Sequence, residues 1–146
     1  MSREIKFRVW DKDLKKMHIC GENQHDSIIF SYPENEAHYY NLQNGCGSST
    51  DGSGTYELMQ YTGLKDKHGK EIYEGDIVEY NDFNSLRTGG HAEDKIIVGK
   101  VAFSCGMWMV EENNCGHDLY EGLVNDEELE IIGNIYENPE LLEGTA

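Results

Sequence analysis

Ile5, Phe7 and Val9 alternate with Lys6 and Arg8 near the start of the chain. A period of two sets the apolar residues on one face of a half-buried strand, and it predicts a strand over residues 4–10. Asp11-Lys12-Asp13 supplies turn chemistry, so Lys16-Met17-His18-Ile19-Cys20 is expected to return as the hairpin partner, ending at Gly21. Two further short strands are predicted over 27–32 and 37–42, on either side of the turn-like Pro33-Glu34-Asn35. Residues 43–55 are rich in Gly, Ser and Asn and hold no large apolar side chain, which reads as a linker or long loop and the best internal boundary.

The extended pattern resumes at 56–61. In Asp66-Lys67-His68-Gly69 the Asp suits the first turn position and the Gly accepts a left-handed backbone, so Leu64 and Ile72 are expected to face each other across a hairpin-like turn. Strands are predicted over 76–80 and 95–103, the latter apolar on both faces (Ile97, Val101 and Phe103 against Ile96, Val98 and Ala102), with few positions left to water. Ser104-Cys105-Gly106 reads as a turn into a strand over 107–110 in which Trp108 and Val110 share a face. A last strand is expected over 129–136 with Gly133 as a bulge, followed by one helical turn that Asn138 caps and Pro139 begins.

Short strands, Gly-rich turns and scarce helix argue a mainly β chain, with an N-terminal β region over 1–55 and a second region over 56–146. The strand count of the second region matches a small closed or nearly closed barrel. Two long connections, 81–94 and 111–127, are of the length that binding loops or disorder take in compact domains.

The chain has 146 residues and a net charge of -16, and its apolar runs are far too short for a membrane span. No apolar segment follows the basic N-terminus, so no secretory signal is expected; the cytoplasm is the expected location, and the four cysteines are expected to be reduced thiols. Of the 28 acidic residues, 25 lie beyond residue 20, a field that repels phosphate backbones and favours a basic partner, or simply keeps a small protein in solution.

Three stretches carry a resemblance. They are Arg3-Glu4-Ile5-Lys6-Phe7-Arg8-Val9-Trp10-Asp11, the block from Met59-Gln60-Tyr61-Thr62-Gly63-Leu64 through Glu74-Gly75-Asp76-Ile77-Val78, and Ile131-Ile132-Gly133-Asn134-Ile135-Tyr136-Glu137-Asn138-Pro139-Glu140-Leu141-Leu142. In this order they resemble the YopX family of phage and prophage proteins. The resemblance implies an SH3-like small β-barrel in the C-terminal half, with the N-terminal hairpin region packed on it. It implies no established activity, and all four Cys lie outside the matching blocks.

Candidate chemistry is thin. Each Cys precedes a Gly, but no Cys-x-x-Cys pair is present. Zinc on Cys105, Cys115 and His117 therefore competes with small buried or turn-adjacent thiols, and no metal or cofactor is assigned. A thiolate activated by His117-Asp118 meets the objection that neighbours on a strand point opposite ways. Asp76 after Gly75 reads as a turn cap more readily than as a base. Tyr61, Tyr73 and Tyr80, with Asp76 and acid from 81–94, would suit a groove for an extended basic peptide, and equally serve as half-buried strand residues.

The chain is thus expected to be no enzyme but a phage accessory module that binds a host or phage protein, with no direct contact to nucleic acid or membrane. A DNA-mimicking inhibitor of a host nucleic-acid-binding protein is the alternative. A homo-oligomer is expected through the N-terminal strand of Ile5, Phe7 and Val9 backed by Trp10.

Overall fold

The computed structural model describes residues 5–22, 24–31, 36–43, 45–48, 54–82, 95–112, 115–125 and 128–143. The chain is mainly β and divides into two compact units, Met1–Tyr61 and Thr62–Ala146. Among the described residues no helix is long and apolar enough to cross a membrane.

In the first unit the strands are β1 (Phe7–Asp11), β2 (Lys16–Ile19), β3 (Asp26–Ser31), β4 (Glu36–Asn41), the two-residue β5 (Cys46–Gly47) and the start of β6 (Tyr56–Lys65). β1 is central, antiparallel to β2 on one side and to β6 on the other. Its backbone groups are used within the chain and Val9 is fully buried, which corrects the expectation that this strand offers an edge to a second copy. At the turn into β2, Asp11 Oδ1 accepts the N–H groups of Asp13 at 2.9 Å and Leu14 at 3.1 Å, the Asx geometry that the Asp-Lys-Asp run anticipates. β3, β4 and β5 form a second antiparallel sheet. The stretch 43–55 is thus not featureless: Cys46 and Gly47 pair with Asn41 and Tyr40, and Ser48 bridges to Tyr56. Residues 44 and 49–53 lie outside the described residues. Val9, Tyr39 and Tyr56 are the buried heart of this unit, with Cys20, Ile28, Cys46 and Leu58 packed around them.

β6 runs through the boundary at Tyr61. The second unit continues with β7 (Glu71–Tyr73), β8 (Asp76–Asp82), β9 (Lys95–Ser104), β10 (Met107–Glu112), β11 (Cys115–Asp118), α1 (Leu119–Asn125), β12 (Glu130–Asn134) and α2 (Glu140–Glu143). Its main sheet has five antiparallel strands in the order β11-β10-β9-β8-β12. The register slips between Ile131 and Gly133, so the bulge falls where the sequence places it. Ile72, Val78, Tyr80, Ile97, Val101, Val110, Leu119 and Leu129 form one core cluster, and Leu64 packs on it as its expected proximity to Ile72 requires.

Three expectations change here. The connection 111–127 is not a free loop, because β11 and α1 occupy most of it; Asp118 Oδ1 accepts the Glu121 N–H at 3.3 Å, and Leu119 and Leu123, one turn apart, face the core. Nor is β9 closed to water on both faces: Ile96 and Phe103 are 57% and 58% exposed. Asn138 precedes α2, but its side chain turns back, with Oδ1 3.4 Å from the Asn134 N–H it accepts, while its carbonyl takes the Leu141 N–H. Of the connection 81–94, residues 83–94 lie outside the described residues.

Candidate functional site

Hairpin register builds a candidate site in the first unit. Opposite Asp11 stand Lys16 on one side and Tyr56 on the other, so these three side chains make one row across β2, β1 and β6. His18 follows Lys16 by two residues and so shares its face. Tyr39 and Asn41, likewise two apart on β4, complete the lining together with Leu14. The result is a cavity of about 290 Å³ that holds both signs of charge.

Behind it lies a polar network centred on Asp26. Its Oδ1 accepts the Tyr39 hydroxyl at 2.7 Å, its Oδ2 accepts the Gly21 N–H at 2.9 Å, and His18 Nε2 lies 2.8 Å from Oδ2 and 3.0 Å from Oδ1. Asn41 Nδ2 donates to the Tyr39 oxygen at 3.2 Å. Burial alone would raise the Asp26 pKa, but the hydrogen bonds from Tyr39, His18 and Gly21 and the His18 charge outweigh it and hold the carboxyl below its usual range. The same burial, with the bond to Asp26, pushes the Tyr39 hydroxyl up. Cys20 is pushed up to about 12 by burial and by the Asp26 charge, so its thiol stays protonated near neutral pH and is no nucleophile there. This arrangement can orient an imidazole and present charge and hydrogen bonds to a small guest.

The candidates read from the sequence lie elsewhere. Tyr61, Tyr73 and Tyr80 are all buried, as is Asp76, at 6%, 2%, 6% and 2% exposure. Tyr80 belongs to the core of the second unit, and an added Cβ on Gly122 of α1 would stand 3.1 Å from its ring. Asp76 Oδ2 accepts the Tyr73 N–H at 2.8 Å and so spans the turn before β8. Asp118 faces its own helix, as above, and His117 Nε2 lies 3.9 Å from the buried Glu112 carboxylate. Among the described residues no group of His, Cys, Asp and Glu is placed to hold a metal ion, and the Cys115 side chain lies outside them. The Lys16–His18 face is legible from hairpin alternation; Asp26 and Tyr39 join it only through tertiary packing.

A second feature stands at the tip of the β9–β10 hairpin. Ser104 pairs with Met107 across Cys105 and Gly106, whose φ angles are 54° and 78°. Two successive left-handed residues match the type I′ turn that suits the strand twist. Next to the turn, Phe103 and Trp108 are cross-strand partners with rings 5.2 Å apart at 74°, and Met107 is 38% exposed.

Two solved structures resemble the whole chain. Protein EF1440 from Enterococcus faecalis is 28% identical with a TM-score of 0.56, covering 97% of this chain and 99% of its own. The protein yopX from Bacillus subtilis is 25% identical with a TM-score of 0.57, covering 97% and 98%. No curated protein matches the sequence. The family described as YopX protein matches residues 6–143, and with nearly the full length aligned this chain belongs to the YopX family.

Proposed function

We propose that this chain is a non-enzymatic binding module that docks a basic protein partner in the bacterial cytoplasm, anchoring it on the tip of the β9–β10 hairpin. The observation that carries the reading is Phe103, more than half exposed against Trp108 on a chain of net charge -16. Exposed aromatic side chains are frequent centres of binding energy, and a strongly acidic chain speeds encounter with a cationic surface. The tip closes through a turn whose two central residues are both left-handed.

The test is capture from a bacterial lysate by tagged wild-type chain and by Phe103→Ser, at low and high salt. A basic protein held by the wild type, lost at high salt and lost with Phe103→Ser in a folded variant, bears the proposal out. Equal capture by both chains overturns the anchor. If the captured protein binds DNA and duplex DNA displaces the chain from it, the charge acts as a DNA mimic instead.

A further inference from the structure

We infer that the cavity of the first unit binds a small zwitterion of amino-acid size, with its carboxylate toward Lys16 and its ammonium toward Asp11. The inference is independent of the hairpin tip, which belongs to the other unit.

Asp11 and Lys16 are direct cross-strand partners, yet among the described residues neither forms an ion pair with the other. Asp11 spends only Oδ1 on its own turn, where it accepts from Asp13 and Leu14. Its Oδ2 has no hydrogen-bond donor among the described residues and stays open to the cavity. An oxygen that faces the cavity can accept from a guest ammonium, which supplies up to three donors. Lys16, exposed at the same cavity, carries an ammonium with no carboxylate at ion-pair distance among the described residues. A guest with only one charge would engage one of the two groups and leave the other to solvent.

Size and the remaining walls narrow the class. A volume of about 290 Å³ sits at the lower end of small-molecule sites, which run from roughly 300 Å³ upward. That matches a group the size of a single amino acid. Tyr39 and Tyr56, edge to face with ring centroids 4.9 Å apart, and Leu14 at the rim add aromatic and apolar surface to the lining. An apolar or aromatic side chain therefore fits better than a charged one. Tyr39 is itself fixed by Asp26, which holds His18 as well, so the site is organised before any guest arrives.

The test uses ¹⁵N-labelled full chain titrated with L-phenylalanine and L-leucine, and with two half-charged analogues, L-phenylalaninamide and 3-phenylpropionate. The expected result is saturable shifts at residues around Asp11, Lys16, Tyr39 and Tyr56 with either amino acid, and binding at least tenfold weaker for both analogues. Asp11→Asn keeps a turn acceptor, and Lys16→Met lies at an exposed position. Both variants should retain the wild-type spectrum elsewhere and lose tenfold or more in affinity. Absence of shifts at 20 mM amino acid, equal binding by an analogue, or unchanged affinity in the two folded variants would each overturn the inference.

Discussion

Asp66 Oδ2 accepts the N–H of Ile131 at 3.1 Å across 65 residues of sequence, while its Oδ1 takes the N–H groups of His68 and Lys70 at 2.9 Å each. One buried carboxylate thus closes the turn between β6 and β7 and fastens that turn to β12, where Lys67 N–H also donates to the Leu129 carbonyl at 2.9 Å. Burial would raise the Asp66 pKa, but the N–H groups of Ile131, Lys70 and His68 and the charge of His68 prevail and lower it.

Removing this carboxylate strands three donors. We expect Asp66→Ala to lose about 3 kcal/mol of stability, and Asp66→Asn to lose less, because its amide oxygen still accepts while its NH₂ meets an N–H. Urea denaturation of the three chains checks the order. An Asn variant less stable than the Ala variant would show that the carboxylate is not the clip described.

The turn at Cys105 offers the opposite sign. A left-handed backbone costs a non-glycine residue of this kind roughly 1 kcal/mol, and Asn tolerates it better than Cys. Cys105→Asn should therefore raise the urea midpoint, equivalent to about 0.5 kcal/mol, whereas Gly106→Ala should lower it by about 1 kcal/mol. A Gly106→Ala chain as stable as the wild type would mean that the hairpin does not close through this turn.

These two turns also mark what a one-dimensional reading reaches. Asp66-Lys67-His68-Gly69 and Ser104-Cys105-Gly106-Met107 carry their geometry in adjacent residues, and so does the Gly133 bulge. The helix α1 is less visible. Asp118-Leu119-Tyr120-Glu121 has the spacing of a helix start, but Gly122 and Asn125 weaken the propensity that would extend it. Burial of Tyr61, Tyr73 and Tyr80 is not encoded in alternation, which separates faces without saying which one is covered. The site around Asp26 is harder still. His18, Asp26 and Tyr39 sit on three strands, and only packing brings them together.

A close approach in β9 gives a steric prediction. A Cβ at Gly99 would stand 2.5 Å from the Glu111 carbonyl oxygen and 2.8 Å from Val110 Cγ1. Backbone cannot swing aside as a side-chain end can, so Gly99→Ala must pry β9 from β10 and should cost roughly 1–3 kcal/mol. The thermal midpoint reports it, and a neutral substitution would be inconsistent with this register.

Thiol chemistry separates the cysteines. Cys105 is exposed at the hairpin tip, whereas Cys20 is partly covered and its pKa is pushed up to about 12 by burial and the Asp26 charge. At pH 8 we expect iodoacetamide to alkylate Cys105 well ahead of Cys20, whose thiol is partly covered and held protonated. Peptide mapping over time resolves the two sites. Comparable rates in native buffer would place Cys20 outside the Asp26 network.

Asp26 finally makes the first unit acid-sensitive. Its folded pKa lies below the unfolded value of about 3.9, so the carboxylate stabilises the fold fully above that value and progressively less as pH falls through the folded pKa. Tyr39→Phe removes the 2.7 Å hydroxyl donor, which should cost about 1–2 kcal/mol at pH 7, raise the Asp26 pKa and shift the acid-unfolding midpoint upward. As pH falls through the folded pKa of Asp26, the carboxyl takes up its proton and the hydroxyl bond is no longer charge-assisted, so the gap between the two chains should shrink. Measured stability at pH 7, 4 and 2 for wild type and Tyr39→Phe gives that gap directly. A difference constant across the three would locate the Tyr39 contribution in packing against Tyr56, and a narrowing one places it in the bond to Asp26.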